Sequence, residues 1–223
     1  DINMSGVELT EEGNNILNDI HGTFYYIKNL SDIEIKLMEK LKLKRVAVVS
    51  GDSENDNFTF NDLGKKAAEI IFENIKNDTV IGITGGTTMA NLVKHMKRKS
   101  KMKNLLVLPA RGGLSEELEI QANTIAANLA ERLGTGYKLL HIPDNLDENS
   151  MTVLKNNKLI SEVLDDIQTI NLLVFGIGNA RDMALRRKSE KHVFDKIEKE
   201  NLTAEAFGYF FDNKGNVKMQ TNS

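Results

Sequence analysis

The chain contains no cysteine. That excludes a disulfide framework and a thiolate zinc site. Its histidines, His21, His95, His141 and His192, show no metal-ligand spacing, so neither a metal nor a cofactor is expected. Positive charge is not in excess either. A formal net charge of -3 and a pI near 5.9 argue against a duplex-binding surface, which needs Lys and Arg concentrated on one face. The densest basic stretch runs from Lys94 to Lys103. It closes a predicted helix, where cations complement the dipole, and reads as a solvated helix end. No apolar run approaches the length of a membrane span, and no signal peptide opens the chain. The expectation is a cytoplasmic protein with no membrane partner. Internal repeats and low-complexity tracts are also lacking.

What is present is an alternation. The 223 residues, 40% of them hydrophobic, suit an α/β domain of ordinary size with a sizeable core. Residues from about Leu9 to Leu41 lack proline and read as helix. Ile16, Ile20, Ile27, Leu30, Leu37 and Leu41 form a near-heptad stripe that Thr23 and Glu34 interrupt, so a long regular coiled coil is not expected. Residues 1–43 are therefore assigned to a helical connector and partner helix, and 44–223 to the domain proper. In that domain strands are predicted at 45–49, 79–83, 104–108, 137–141, 171–175 and 206–211. Helices are predicted between them, at about 60–77, 87–99, 116–133, 157–168 and 180–200. Most of the strands are continuously apolar. That pattern means a Rossmann-like α/β fold, a mostly parallel sheet with helices on both faces. The turn Asp212-Asn213-Lys214-Gly215-Asn216 fits a hairpin to Val217-Lys218-Met219.

Three strand-to-helix junctions carry the candidate chemistry. Thr84-Gly85-Gly86-Thr87-Thr88 follows Val80-Ile81-Gly82-Ile83. Two glycines let the backbone turn and approach a ligand closely. Two threonines then add hydroxyls where a helix still has free N–H donors. Such an assembly binds anions, phosphate above all, and also occurs as an ordinary empty turn. It is neither a Walker loop, since no lysine follows, nor G-x-G-x-x-G, since the glycines are adjacent. Leu105 to Leu108 leads into Pro109-Ala110-Arg111-Gly112-Gly113, and Arg111 is the only arginine between Arg98 and Arg132. A guanidinium fork suits phosphate; taken alone, Arg111 also reads as a solvated loop charge. Ser115 is read as the N-cap of the helix that follows. The third junction is Phe175-Gly176-Ile177-Gly178, where the glycines serve a ligand or merely the turn. Ligands of open α/β sheets sit outside the carboxyl ends of the strands, so these loops are expected to share one crevice.

The run from Pro109 to Leu114, with Gln121-Ala122-Asn123-Thr124-Ile125 behind it, resembles the SorC family of sugar-binding transcriptional regulators. Gly85 to Thr88, Leu140 to Asp144, Phe175 to Gly178, Arg186-Arg187 and Glu205-Ala206-Phe207-Gly208-Tyr209 extend the resemblance over nearly the whole chain. The resemblance implies a repressor of glycolytic genes, a homo-oligomer (dimer or tetramer) whose amino-terminal winged helix binds operator DNA. Its carboxy-terminal domain would sense a phosphosugar, fructose-1,6-bisphosphate, on a scaffold similar to sugar-phosphate isomerases and deaminases. The family's phosphate-binding threonines fall on Thr87 and Thr88. Its second phosphate site falls on Arg111, Gly112 and Gly113, and its sugar contacts on Gln121 and Glu205. No helix-turn-helix precedes Leu9. The family's further strand and helix, with a ligand-binding lysine, would follow Ser223, so a truncated effector domain is expected.

On the residues alone the bland readings stay open. Gln121 on the first turns of a helix reads as solvated, Glu205 before a strand as a surface carboxylate. Arg186 and Arg187 at a helix end read as serving its carbonyls. Two function classes follow: a ligand sensor without turnover, or a sugar-phosphate isomerase or deaminase. The second needs a general base beside the phosphate cradle, for which Asp52 and Asp144 are the candidates. Neither belongs to an acid–base pair, which favours the sensor; a pure dimerisation module is the weaker third reading.

Overall fold

This computed structural model describes residues 2–3, 6–7, 10–13, 16, 20, 30–98, 102–112, 118–142 and 148–220. The chain falls into two compact units, Asp1–Lys66 and Ala67–Ser223.

In the first unit β1 (Ile2–Asn3) pairs antiparallel with β2 (Gly6–Val7). The predicted connector is helical at 11–13, at Ile16 and Ile20, and through α1 (Leu30–Leu41). Ile16, Ile20 and Leu41 of its stripe are exposed and Leu30 is buried; Thr23 and Ile27 lie outside the described residues. The predicted strand at 45–49 does not form. The Val48 N–H, which a ladder would use, donates instead to Glu34 Oε1 at 2.8 Å. The same glutamate that broke the apolar stripe thus satisfies a backbone amide of this segment. α2 (Asn57–Asn74) is capped by Asp56, whose carboxylate accepts the Phe58 and Thr59 N–H groups at 3.0 Å each.

The second unit carries the parallel sheet. β3 (Val80–Ile83), β4 (Leu106–Pro109), β5 (Gly136–Tyr137) and β6 (Leu172–Val174) lie in the order β5-β4-β3-β6, all parallel. α3 (Thr87–His95) follows β3, and α4 (Ala122–Leu133) follows β4. Ile81, Ile83, Val107, Leu92, Ile125, Leu129 and Leu133 form the centre of the core between strands and helices. On α4 the buried residues Ala122, Ile125, Ala126, Leu129, Ala130 and Leu133 recur at helical spacing. Within the predicted helix at 116–133, residues 118–120 form a separate 3-10 turn, and Leu118 is 68% exposed. Gly134 ends α4 with φ 69°, a left-handed C-cap.

α5 (Glu148–Lys155) lies outside the predicted segments. The helix predicted at 157–168 forms as α6 (Lys158–Ile167), with Asn157 capping it through the Leu159 N–H. The helices predicted at 180–200 are α7 (Ala180–Arg186) and α8 (Lys191–Lys199), separated by Lys188 at φ 50°. One predicted strand is broken in two. The strand at 206–211 is the end of β8 (Leu202–Ala206) and the start of β9 (Tyr209–Asp212). Phe207 and Gly208 between them have φ of 60° and 86°. Two successive positive φ values are those of a type I′ hairpin turn. With β7 (Gly178–Asn179) and β10 (Val217–Gln220), these strands make a second, antiparallel sheet ordered β10-β9-β8-β7. The sequence had shown only its last hairpin, which forms as expected: Asp212 donates its N–H to the Asn216 carbonyl at 3.0 Å. α7 and α8 pack on this sheet through Ala180, Ala184, Val193 and Ile197, around a fully buried Phe210. The predicted strand at 137–141 pairs only at Gly136 and Tyr137.

Candidate functional site

Parallel register brings the three glycine junctions to one end of the sheet. Ile83 lies opposite Pro109 on one side and Val174 on the other. The ladder carries one step further: Ala110 N–H donates to Ile83 O at 2.9 Å and Thr84 N–H to Val174 O at 3.1 Å. β3 leads to β4 on one side and neighbours β6 on the other, so the chain reverses direction across the sheet here. Such reversals open the crevice that ligands occupy.

The first loop is tightly built. A Cβ on Gly85 would stand 2.7 Å from the Ile120 carbonyl oxygen and 3.2 Å from the Ala122 nitrogen. Only glycine lets the backbone of 84–86 lie against that of 120–122. The Gly86 N–H donates to Ile120 O at 2.9 Å, so this amide, offered by the sequence as an anion donor, is used within the fold. Gly86 is the N-cap of α3 with φ 115°, and among the described residues no side chain caps the helix. The first-turn amides of Thr87, Thr88 and Met89 therefore lead the helix dipole toward the crevice. Thr87 is exposed, Thr88 half-buried and Met89 buried. Gln121, expected solvated on the first turns of the helix, stands one residue before it. It is the half-buried N-cap of α4, extended at φ -70° and ψ 142°, on the backbone segment that Gly85 touches. Ser115, the expected N-cap, lies outside the described residues, as does Gly113; Gly112 is buried.

Arg111 is not a solvated loop charge. It is 5% exposed, and its Nη1 stands 3.5 Å from Glu205 Oε1. Glu205 is not a surface carboxylate either, being 2% exposed. The same Oε1 accepts Arg187 Nη2 at 2.7 Å and the Gly208 N–H at 2.5 Å. Glu205 sits on β8 opposite Gly178 of β7. Tertiary structure thus joins Arg111, Gly178 and Glu205 in one buried cluster with two guanidiniums and one carboxylate. Both guanidiniums face the crevice end of the sheet from buried positions, and a guanidinium fork suits an anionic group.

Arg187 is the member of this cluster that the sequence did not place there. Its Nη2 reaches Glu205, while Arg186 stays exposed. The signal was present in the periodicity. Ala180, Ala184 and Arg187, at i, i+4 and i+7, share the buried face of α7. Gly176 is exposed, and a Cβ there would meet nothing within 4 Å. Gly178 differs, since a Cβ would press on Met183 Cγ at 2.7 Å.

Asp52, a candidate base, is held by Asn55 Nδ2 at 2.8 Å and by the Glu54 N–H at 2.9 Å. Those bonds, the Asn55 side chain first, keep its carboxyl below the ordinary value. That is the wrong direction for a general base at neutral pH. Asp144 lies outside the described residues. Among the described residues no group of three or more His, Asp or Glu side chains gathers to hold a metal, and no helix is long and apolar enough to cross a membrane.

A parallel α/β unit with glycine loops and a buried arginine at the carboxyl end of its strands has the architecture of a small-molecule-binding domain. Residues 25–223 match the family described as "Putative sugar-binding domain", and the chain belongs to it. The chain is 35% identical over 223 residues to the central glycolytic genes regulator of Bacillus subtilis (strain 168), covering 100% of itself and 66% of that protein. It is 37% identical over 219 residues to the protein of the same name from Priestia megaterium, covering 97% of itself and 64% of the relative. It therefore spans about two thirds of the length of these relatives. Among solved structures, a SorC family transcriptional regulator from Enterococcus faecalis superposes with a TM-score of 0.78 at 34% identity, over 85% of this chain and 77% of that one. The full-length sorbitol operon regulator SorC of Klebsiella pneumoniae shares the fold, with a TM-score of 0.78 at 20% identity over 89% of this chain and 67% of that one. These relatives are named as transcriptional regulators, and a sugar-binding domain within a regulator is a sensor rather than an enzyme.

Proposed function

We propose that this chain is the effector-sensing domain of a repressor of glycolytic genes and that its effector is a phosphorylated sugar, fructose-1,6-bisphosphate. One phosphate is received by Thr87, Thr88 and the first-turn amides of α3, beside Gly85 and Gly86. The other is received by Arg111 with Gly112 and Gly113, and Gln121 and Glu205 contact the sugar. The observation that carries this reading is the buried cluster of Arg111, Glu205 and Arg187 at the same end of the sheet as the N-terminus of α3, which among the described residues has no side-chain cap. Two separate anion loops fit a bisphosphate better than a monophosphate. The names of the relatives support regulation of glycolytic genes, and operator DNA would be bound through a separate winged-helix domain. In this reading ligand acts by altering how copies of the sensor pack. It does so only through differential affinity for two assemblies, so assembly must in turn alter ligand affinity.

Thermal melting against a phosphosugar panel tests the effector. A ligand at 100 times its Kd stabilises by about 2.7 kcal/mol. The bisphosphate should raise the melting temperature more than fructose-6-phosphate does; equal shifts would remove the second phosphate site. Sedimentation with and without bisphosphate tests the coupling, and identical association in both series would place the ligand's effect within one chain.

A further inference from the structure

We infer that Phe175 and Phe207 form an aromatic platform for the carbon skeleton of the ligand, a specificity element added to the two anion loops. The proposal rests on the phosphosugar reading above and extends it from the charged ends of the ligand to its middle. Phe175 directly follows Val174, the last residue of β6 and the partner of Ile83. Continuing that register by one residue sets Phe175 beside Thr84, the first residue of the Gly85–Thr88 loop. Phe207 comes from the other side of the cluster. It lies two residues after Glu205 and just before Gly208, whose amide Glu205 Oε1 accepts at 2.5 Å. The two rings meet edge to face, with centroids 5.9 Å apart and planes at 86°. They tie the carboxyl end of the parallel sheet to the turn that follows Glu205.

Two features are unexplained by folding alone. Phe175 remains 44% exposed at the carboxyl end of β6. Phe207 occupies the first position of a type I′ turn at φ 60°, a place where Asn or Gly is at ease and a bulky side chain is strained. Backbone strain of this kind, kept at a ligand crevice, points to function. A sugar phosphate offers the matching chemistry. Its phosphates are charged, but the C–H groups between them are apolar and prefer an aromatic face to water. Neither anion loop supplies such a surface.

The test uses the whole chain, with Phe175→Leu, which keeps apolar bulk without a ring, and Phe207→Asn, which suits a left-handed backbone. Calorimetry with fructose-1,6-bisphosphate should show each variant binding about tenfold more weakly, or worse, than wild type. Saturation of aromatic protein protons should transfer to the sugar C–H protons in wild type and fall away in both variants. Phe207→Asn should melt no lower than wild type, because its backbone strain is relieved. Unchanged affinity in both variants overturns the platform, as does the absence of aromatic transfer in the bound wild type. A markedly lower melting temperature for Phe207→Asn assigns the ring to packing and also overturns it. If wild type binds no phosphosugar at all, the effector reading falls and the platform with it. If wild type binds and the variants match it, the platform alone falls.

Discussion

Replacing Arg111 by alanine separates ligand binding from folding. The guanidinium is buried, yet its contact with Glu205 Oε1 is long at 3.5 Å, while Arg187 and the Gly208 amide hold the same oxygen at 2.7 Å and 2.5 Å. Removing Arg111 therefore leaves the Glu205 carboxylate with two partners. The stability loss comes mainly from the packing of the side-chain stem and should be about 1–2 kcal/mol. In a domain of this size that lowers the melting temperature by roughly 2–8 °C. The loss in binding should be larger. A charge-assisted contact to phosphate contributes about 1.5–3 kcal/mol, so bisphosphate affinity should fall roughly ten- to 150-fold. A monophosphate seated on Thr87 and Thr88 alone should be nearly unaffected. Calorimetry of both ligands on wild type and variant, with melting as the control for folding, reads the difference. Unchanged bisphosphate affinity in a folded variant would refute the assignment of Arg111 to the site.

The opposite substitution in that cluster should be far more damaging. Glu205→Ala strips two buried guanidiniums of their carboxylate and should cost about 3–5 kcal/mol of stability, read by urea unfolding. In the core, Leu129→Ala removes a fully buried side chain from α4 and should cost about 2.7–5 kcal/mol in the same assay. At the β9–β10 turn, bonds from Asn216 first, and then Lys214 and Lys218, lower the Asp212 pKa from 3.8 to about 2. Because the folded value is depressed, its contribution is present above pH 3.8 and lost as pH falls through about 2. NMR titration should show the hairpin amides of 214 and 216 shifting in that window, and Asp212→Asn should abolish the shift.

The class of the fold was legible in the sequence because continuous apolar runs alternating with amphipathic helices leave few solutions other than a parallel sheet with helices packed on it. β3, β4 and β6 lie within the predicted segments to one or two residues, and Gly85-Gly86 marks the tightest turn of the site. Both follow from local demands, namely burial at period 3.6 or none, and a backbone that no Cβ permits. Elements whose ends depend on side-chain bonds were not legible. The strand at 45–49 does not form and the Val48 N–H goes to Glu34, and the strand at 206–211 is interrupted by the turn whose Gly208 amide Glu205 accepts. Least legible was the environment of the charged groups. Arg111, Arg187 and Glu205 are separated by up to 94 residues in sequence, and each alone looks like a solvated charge. Only tertiary packing decides that they are buried together, because desolvation is a property of everything that surrounds a group rather than of its neighbours in the chain. The sequence by itself determined a sheet with anion-suited loops at one end. The antiparallel sheet, by carrying Glu205 across to Arg111 and Arg187, decided which of those loops holds a buried positive charge.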